Sequence, residues 1–208
     1  MLVKVCGMRD PGNIQELDAL KVDFMGLIFH RKSPRYVDLQ DRIGILASRT
    51  KRIGVYVDAD LDELLHFAHT FSLDGIQFHG SESPAYIKQV LDGLPGMLVF
   101  KAFSVKDKLP DTAAYESVCD YFLFDTAGAG AGGTGVQFDW SILQAYQGHT
   151  PFFLSGGIGP DSVTALKAFA HPKWIGIDLN SKFEHKPAMK NMPVLTEFLE
   201  KIRTHDTA

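Results

Sequence analysis

The amino-acid sequence predicts an α/β fold: a single-domain (β/α)8 barrel, the TIM barrel, formed by residues 1–208. Three observations carry that prediction. Eight short apolar runs recur at intervals of roughly 25 residues, a compact version of the usual strand–helix repeat. The runs are rich in Val, Ile and Phe and nearly unbroken, as strands buried on both faces of a parallel sheet must be. Reactive side chains fall where the runs stop: Cys6 ends the first, Asp125 the sixth, and Gly156-Gly157 follow the seventh. Barrel enzymes carry their chemistry at the carboxyl ends of their strands.

In chain order the predicted strands are LVKVC (2–6), FMGLIF (24–29), RIGVYV (52–57), GIQFH (75–79), MLVFKAF (97–103), YFLFD (121–125), PFFLS (151–155) and WIGIDL (174–179). Helical spacing of apolar residues is clearest over 14–20, 61–71, 85–91, 162–169 and 192–202. Asp10-Pro11, Ser83-Pro84 and Pro160-Asp161 supply caps or first-turn prolines. Residues 40–48 read as a weaker helix because Gly44 interrupts it. Together these make eight strand–helix units. A doubly wound open sheet would show a glycine fingerprint after its first strand and an acidic residue about 20 positions on. The first run here ends in Cys6-Gly7-Met8-Arg9, with one glycine. The tail THDTA (204–208) reads as frayed.

Composition narrows the function classes. A hydrophobic content of 45% and a charged content of 22% are ordinary for a globular domain. The formal charge of −4 offers no basic face for nucleic acid. No run approaches the ~20 apolar residues of a membrane span, and the opening MLVKVCGM lacks the pattern of a signal peptide. With two cysteines, Cys6 and Cys119, a disulfide framework is not expected, and a reduced, cytoplasmic protein is. His30 and His79 lack further ligands at metal-site spacing, so no metal is expected, and no cofactor motif is present. A monomer and a homodimer are both compatible with the sequence.

Cys6 is the first candidate for chemistry. A cysteine in an apolar strand is ordinarily a small buried hydrophobe, but a strand end beside Gly7 leaves the thiol approachable. Cys119 precedes its strand and keeps the structural reading. Asp125 ends the apolar run YFLF, where a carboxylate is costly without a partner or a task; the alternative is a loop cap. Burial would raise its pKa towards the proton-donating range. The stretch AGAGAGGTG (127–135) matches neither a Walker pattern nor a dinucleotide fingerprint, and reads as a ligand-covering loop or a linker.

Gly156 and Gly157, with Asp178, Asn180 and Ser181 after the eighth strand, flank the usual phosphate position of such barrels. Glycines there let backbone N–H groups approach the anion closely. Arg35, in KSPRYV (32–37), is either a solvated arginine or a bidentate grip on a substrate carboxylate. His79 either hydrogen-bonds in the barrel mouth or lines the ligand site.

Taken together, KVCGM (4–8), GLIFHRKSPRYV (26–37), IGVYVD (53–58), IQFHG (76–80), FDT…GGTG…FDW (124–140), LSGGI (154–158) and GIDLNSKFE (176–184) resemble the phosphoribosylanthranilate isomerase family. The resemblance spans nearly the whole chain. It implies an Amadori rearrangement of a phosphorylated aminosugar in tryptophan biosynthesis, without cofactor. It assigns the general base to Cys6, the general acid to Asp125, and the anthranilate carboxylate to Arg35. Proton delivery to the furanose oxygen and proton removal from C2′ suit a carboxylic acid and a thiolate, and call for a depressed thiol pKa. The chain departs from the family at DLNSK (178–182), where DVSSG is common, so Lys182 stands in place of a glycine.

Two other readings remain open on sequence. One is a lyase resembling indole-glycerol-phosphate synthase, which would need a catalytic lysine, with Lys4 and Lys101 available. The other is a non-catalytic barrel that binds a phospholigand.

Overall fold

The computed structural model describes residues 1–41, 43, 48–126 and 139–204. Eight parallel strands close into a barrel: β1 (Leu2–Cys6), β2 (Phe24–Ile28), β3 (Lys51–Tyr56), β4 (Gly75–Phe78), β5 (Leu98–Val105), β6 (Tyr121–Thr126), β7 (Phe152–Leu154) and β8 (Trp174–Leu179). Each matches one predicted run to within about two residues, the ordinary scatter of element ends. Closure comes from β1 pairing with β8, which sets Lys4 opposite Asp178.

Five α-helices are described: α1 (Pro11–Ala19), α2 (Leu61–Thr70), α3 (Pro84–Gly93), α4 (Val163–Ala168) and α5 (Met192–Arg203). Asp10, Asp60, Ser83 and Asn191 cap their helices by accepting first-turn backbone N–H groups. Pro160 opens a 3₁₀ turn, Pro160–Ser162, rather than a full helix.

The expectation of eight strand–helix units needs correction. After β5 and β6 the described connections carry only 3₁₀ turns, Ala113–Tyr115 and Trp140–Ala145. After β2 a turn at Leu39–Asp41 is described; most of the 40–48 segment, the 127–135 loop and residues 205–208 lie outside the described residues. The connection from β5 to β6 holds Pro110, Asp111 and Thr112, which favour turns over a helical stripe. That connection, residues 106–120, is shorter than a full crossover helix with its loops requires, which helps the barrel close in a chain below the usual ~250 residues.

Alternation along each strand divides the side chains. Val3, Val5, Ile177 and Leu179 join the large core between barrel and helices. Their neighbours turn into the barrel, and the lower interior is aromatic. Phe24, Phe100 and Phe153 pack there with ring centroids 5.3–6.0 Å apart, mostly edge to face, alongside Ile53, Ala102 and Leu123. This dry floor closes the bottom of the barrel, so among the described residues the polar interior lies towards the carboxyl ends of the strands.

One element was not predicted. Glu184–Lys186 (β9) and Met189–Lys190 (β10) form a small antiparallel hairpin between β8 and α5. Pro187 and Ala188, with φ 66° at Ala188, make its turn.

Candidate active site

Strand alternation brings the site together. On β1, Lys4 and Cys6 share the interior face; Gln77 and His79 do so on β4 and its end, and Asp178 and Asn180 on β8 and its end. These side chains, with Arg35, Asp125, Ser155, Gly156, Gly157 and Ser181, line a cavity at the carboxyl ends of the strands, Lys4 lying just beneath it. The cavity encloses about 720 Å³, part of it open to solvent. All nine predicted site residues border it: Cys6, Arg35, His79, Asp125, Gly156, Gly157, Asp178, Asn180 and Ser181.

Cys6 is buried, and its thiol lies against Gly26 of β2, whose missing side chain makes room: a Cβ there would stand 2.7 Å from Sγ. Lys4, wholly buried, donates to Asp178 Oδ1 at 2.9 Å, and its charge bears on the Cys6 side chain two residues along the strand. Ser155 Oγ donates to the other Asp178 oxygen at 3.2 Å. Burial pushes the Cys6 thiol up, and the neighbouring Lys4 and Lys190 charges offset this only in part. This corrects the expectation of a depressed thiol: position and cationic neighbours are as chemistry requires, but desolvation outweighs them. Burial also works against the Lys4 charge, yet Asp178 and Cys6 overcome it and hold the ammonium above its usual range.

Asp125 stands across the cavity, its side chain 17% exposed, so it is less buried than its apolar run implied. Oδ1 accepts the Thr126 N–H at 2.8 Å, and Oδ2 lies 3.3 Å from His79 Nε2. Gln77 Nε2 is 2.9 Å from His79 Nδ1. A neutral imidazole protonated on Nε2 satisfies both contacts, accepting from Gln77 and donating to Asp125. His79 is thereby a partner of the carboxylate, and Gln77 a residue the sequence reading missed. Gly156 has φ +80°, and a Cβ there would stand 2.6 Å from Asp125 Oδ1. Gly156 thus leaves room for the Asp125 carboxylate.

Arg35 is 9% exposed and already engaged. Its guanidinium donates to both Glu184 oxygens at 2.7–3.0 Å. Lys190 Nζ donates to Glu184 Oε1 at 2.7 Å and to Asn180 Oδ1 at 2.8 Å. Burial works to raise the Glu184 carboxyl, but Arg35 and Lys190 outweigh it and hold it below the usual range. Burial lowers Lys190, and Glu184 only partly restores it. Neither Glu184 nor Lys190 was identified from sequence; their one signal is the charged stretch EHKPAMK around a proline turn.

Asp178 borders the cavity, but its carboxylate is committed to Lys4 and Ser155 and would repel a phosphate. It anchors Lys4 at the cavity floor. Lys182, which replaces the family glycine, packs its chain along Gly159, so the loop after β8 rests on the loop after β7. Lys101 faces outward from β5, bonded to Gly80 O at 2.7 Å and Glu82 Oε2 at 3.3 Å, and does not border the cavity. With Lys101 outside and Lys4 paired, no lysine stands free for lyase chemistry among the described lining residues. Among the described residues no cluster of ligating side chains could hold a metal, and no helix is long and apolar enough to cross a membrane.

Comparison with known proteins agrees with this geometry. The family model for N-(5′-phosphoribosyl)anthranilate (PRA) isomerase matches residues 3–201. An N-(5′-phosphoribosyl)anthranilate isomerase of Phocaeicola vulgatus is 44% identical over 205 residues, spanning 98% of both chains. The crystal structure of phosphoribosyl anthranilate isomerase from Thermotoga maritima superposes with a TM-score of 0.83 at 27% identity, covering 98% of this chain and 100% of that one. A further isomerase structure, in complex with reduced 1-(o-carboxyphenylamino)-1-deoxyribulose 5-phosphate, superposes at 0.79 with 25% identity, covering 98% and 100%. The chain belongs to the N-(5′-phosphoribosyl)anthranilate isomerase family, an isomerase of tryptophan biosynthesis.

Proposed function

We propose that Cys6 is the general base and Asp125 the general acid of this isomerisation, with Arg35 holding the anthranilate carboxylate. The observation that carries the reading is that the two groups border one cavity from different strands, Cys6 among buried cations and Asp125 held by His79. In the ring-closed substrate, protonated Asp125 gives its proton to the furanose oxygen as the C1′–O bond breaks. The anilino nitrogen lone pair forms the C1′=N double bond, leaving an iminium. The Cys6 thiolate then removes the C2′ proton, and the electron pair neutralises the iminium to give an enolamine. Ketonisation moves the 2′-hydroxyl proton to the Asp125 carboxylate, and C1′ takes one from the Cys6 thiol. Both groups end as they began. The reaction is redox-neutral overall, so no electron carrier is called for.

The phosphate is assigned to the backbone of Gly156 and Gly157 with Asn180 and Ser181, where positive φ at both glycines turns the chain sharply. Arg35 meets the substrate carboxylate with the part of its guanidinium that Glu184 leaves over. A relative crystallised with a reduced phosphorylated product supports this substrate class. Free Cys6 and Cys119 accord with a reducing, cytoplasmic setting.

The test is turnover of phosphoribosylanthranilate made in situ, followed by loss of its fluorescence. Cys6→Ala and Asp125→Asn are each expected to lose about 10²–10⁴-fold in kcat, the usual contribution of a general acid or base. Wild-type rates in both variants would refute the assignment.

A further inference from the structure

Buried charge is costly unless it is balanced, and one ion-pair cluster at the mouth of this barrel is unbalanced. Lys4, Arg35 and Lys190 face two carboxylates, Asp178 and Glu184, and all five are buried or nearly so. One positive charge is left over. A group of the same mouth that can become an anion is the Cys6 thiol, on which the charges of both Lys4, from its own strand, and Lys190 bear. Gly7, directly after Cys6, lies against Arg35 and Asn180, and Asn180 is in turn bonded to Lys190. The β9–β10 hairpin, which the predicted fold lacked, is what brings Lys190 to this place.

We infer that Lys190, delivered by the hairpin and held between Glu184 and Asn180, is a positioning residue that seats the Cys6 side chain in its thiolate form. This rests on the reading of Cys6 as the base. Lys190 does not itself reach substrate, because its ammonium is fully buried and committed to Glu184 and Asn180. It acts through charge: with Lys190 present, an ionised Cys6 closes the cluster to neutrality; without it, the same thiolate would be one negative charge too many. Glu184 works in the opposite sense. It orients Arg35 and Lys190, but its own charge opposes the thiolate. The remaining groups that face Cys6 are Asp178 from β8, and Asp125 and His79 across the cavity.

Two substitutions on one hairpin therefore have effects of opposite sign, which a merely structural role would not produce. The experiment is an ultraviolet thiolate titration in a Cys119→Ser background, read as a difference against the same protein carrying Cys6→Ser. Lys190→Met is expected to move the Cys6 midpoint up by about one pH unit, the size of effect of a neighbouring opposite charge. Its kcat at neutral pH falls by up to about tenfold, as the thiolate fraction does. Glu184→Gln, which keeps size and an acceptor oxygen, moves the midpoint down, and Lys190→Arg stays near wild type. Midpoints that both stay put, or both move the same way, would overturn the inference. If Lys190→Met does not fold, Glu184→Gln decides alone: a lower midpoint supports the seat and an unchanged one refutes it. Wild-type turnover in Cys6→Ser would instead refute the base itself, whichever way the midpoints move.

Discussion

The floor and the mouth of this barrel are two levels of one interior, yet they obey opposite rules. On the floor Phe24, Phe100 and Phe153 fill the interior with rings and leave no polar atom to satisfy. Higher in the same interior, on β1, β4, β6 and β8 or at their ends, the lining turns to Lys4, Gln77 and Asp178, then to Cys6, His79 and Asp125. The floor gains stability from dry packing. The mouth gives stability up, since each buried ion must be matched by another before it ceases to cost. What it gains is a low-dielectric site where a thiol stands among buried charges and faces a carboxyl across the cavity.

If that contrast holds, floor and mouth substitutions separate into two kinds. The largest effect is the loss of turnover in Cys6→Ala and Asp125→Asn, with thermal stability nearly unchanged. Phe153→Ala reverses the pattern: removing a floor ring costs about 3–5 kcal/mol of stability, read by denaturant unfolding, while kcat per folded molecule is kept. Asp178→Asn breaks the distinction in an informative way. It strands Lys4 in the interior, so stability drops by about 3–5 kcal/mol. It also removes a charge that pushes the Cys6 thiol up, so the thiol midpoint falls.

Acid provides a smaller effect. Glu184 is held below its unfolded value of 4.5, so its contribution is complete above that pH and is lost as pH falls through the lower folded value. Stability against unfolding, measured below about pH 4.5, falls more steeply with acid in wild type than in Glu184→Gln. The smallest effect belongs to the surface. Lys201→Ala removes an exposed pair with Glu197 on α5 and changes stability by at most about 0.5 kcal/mol.

The same contrast explains what was legible in the sequence. Strands and floor follow from runs of Val, Ile and Phe, because local hydrophobic pattern and tertiary burial agree there. Cys6 and Asp125 were legible because each interrupts a pattern at a strand end. The direction of the Cys6 shift was not, since it depends on a balance between burial and charges arriving from β8 and the hairpin. Glu184 and Lys190 escaped for a related reason: in sequence they are two charges in a polar stretch, and only the hairpin carries them inward. Arg35 was found, but its bond to Glu184, 149 residues away, has no local signature. The connections after β5 and β6 were expected as helices because the barrel repeat demands a crossover; after β5 a 3₁₀ turn meets that demand within residues 106–120.

The central claim is the division of labour between Cys6 and Asp125, and an isotope effect tests it most directly. Phosphoribosylanthranilate carrying deuterium at C2′ is compared with the unlabelled substrate in wild type, Cys6→Ser and Asp125→Asn. If Cys6 removes the C2′ proton, its replacement makes that step limiting and the isotope effect on kcat rises. If Asp125 opens the ring, its replacement makes an earlier step limiting and the effect shrinks towards unity. An isotope effect unchanged by Cys6→Ser, in an enzyme slowed by that substitution, would contradict the account.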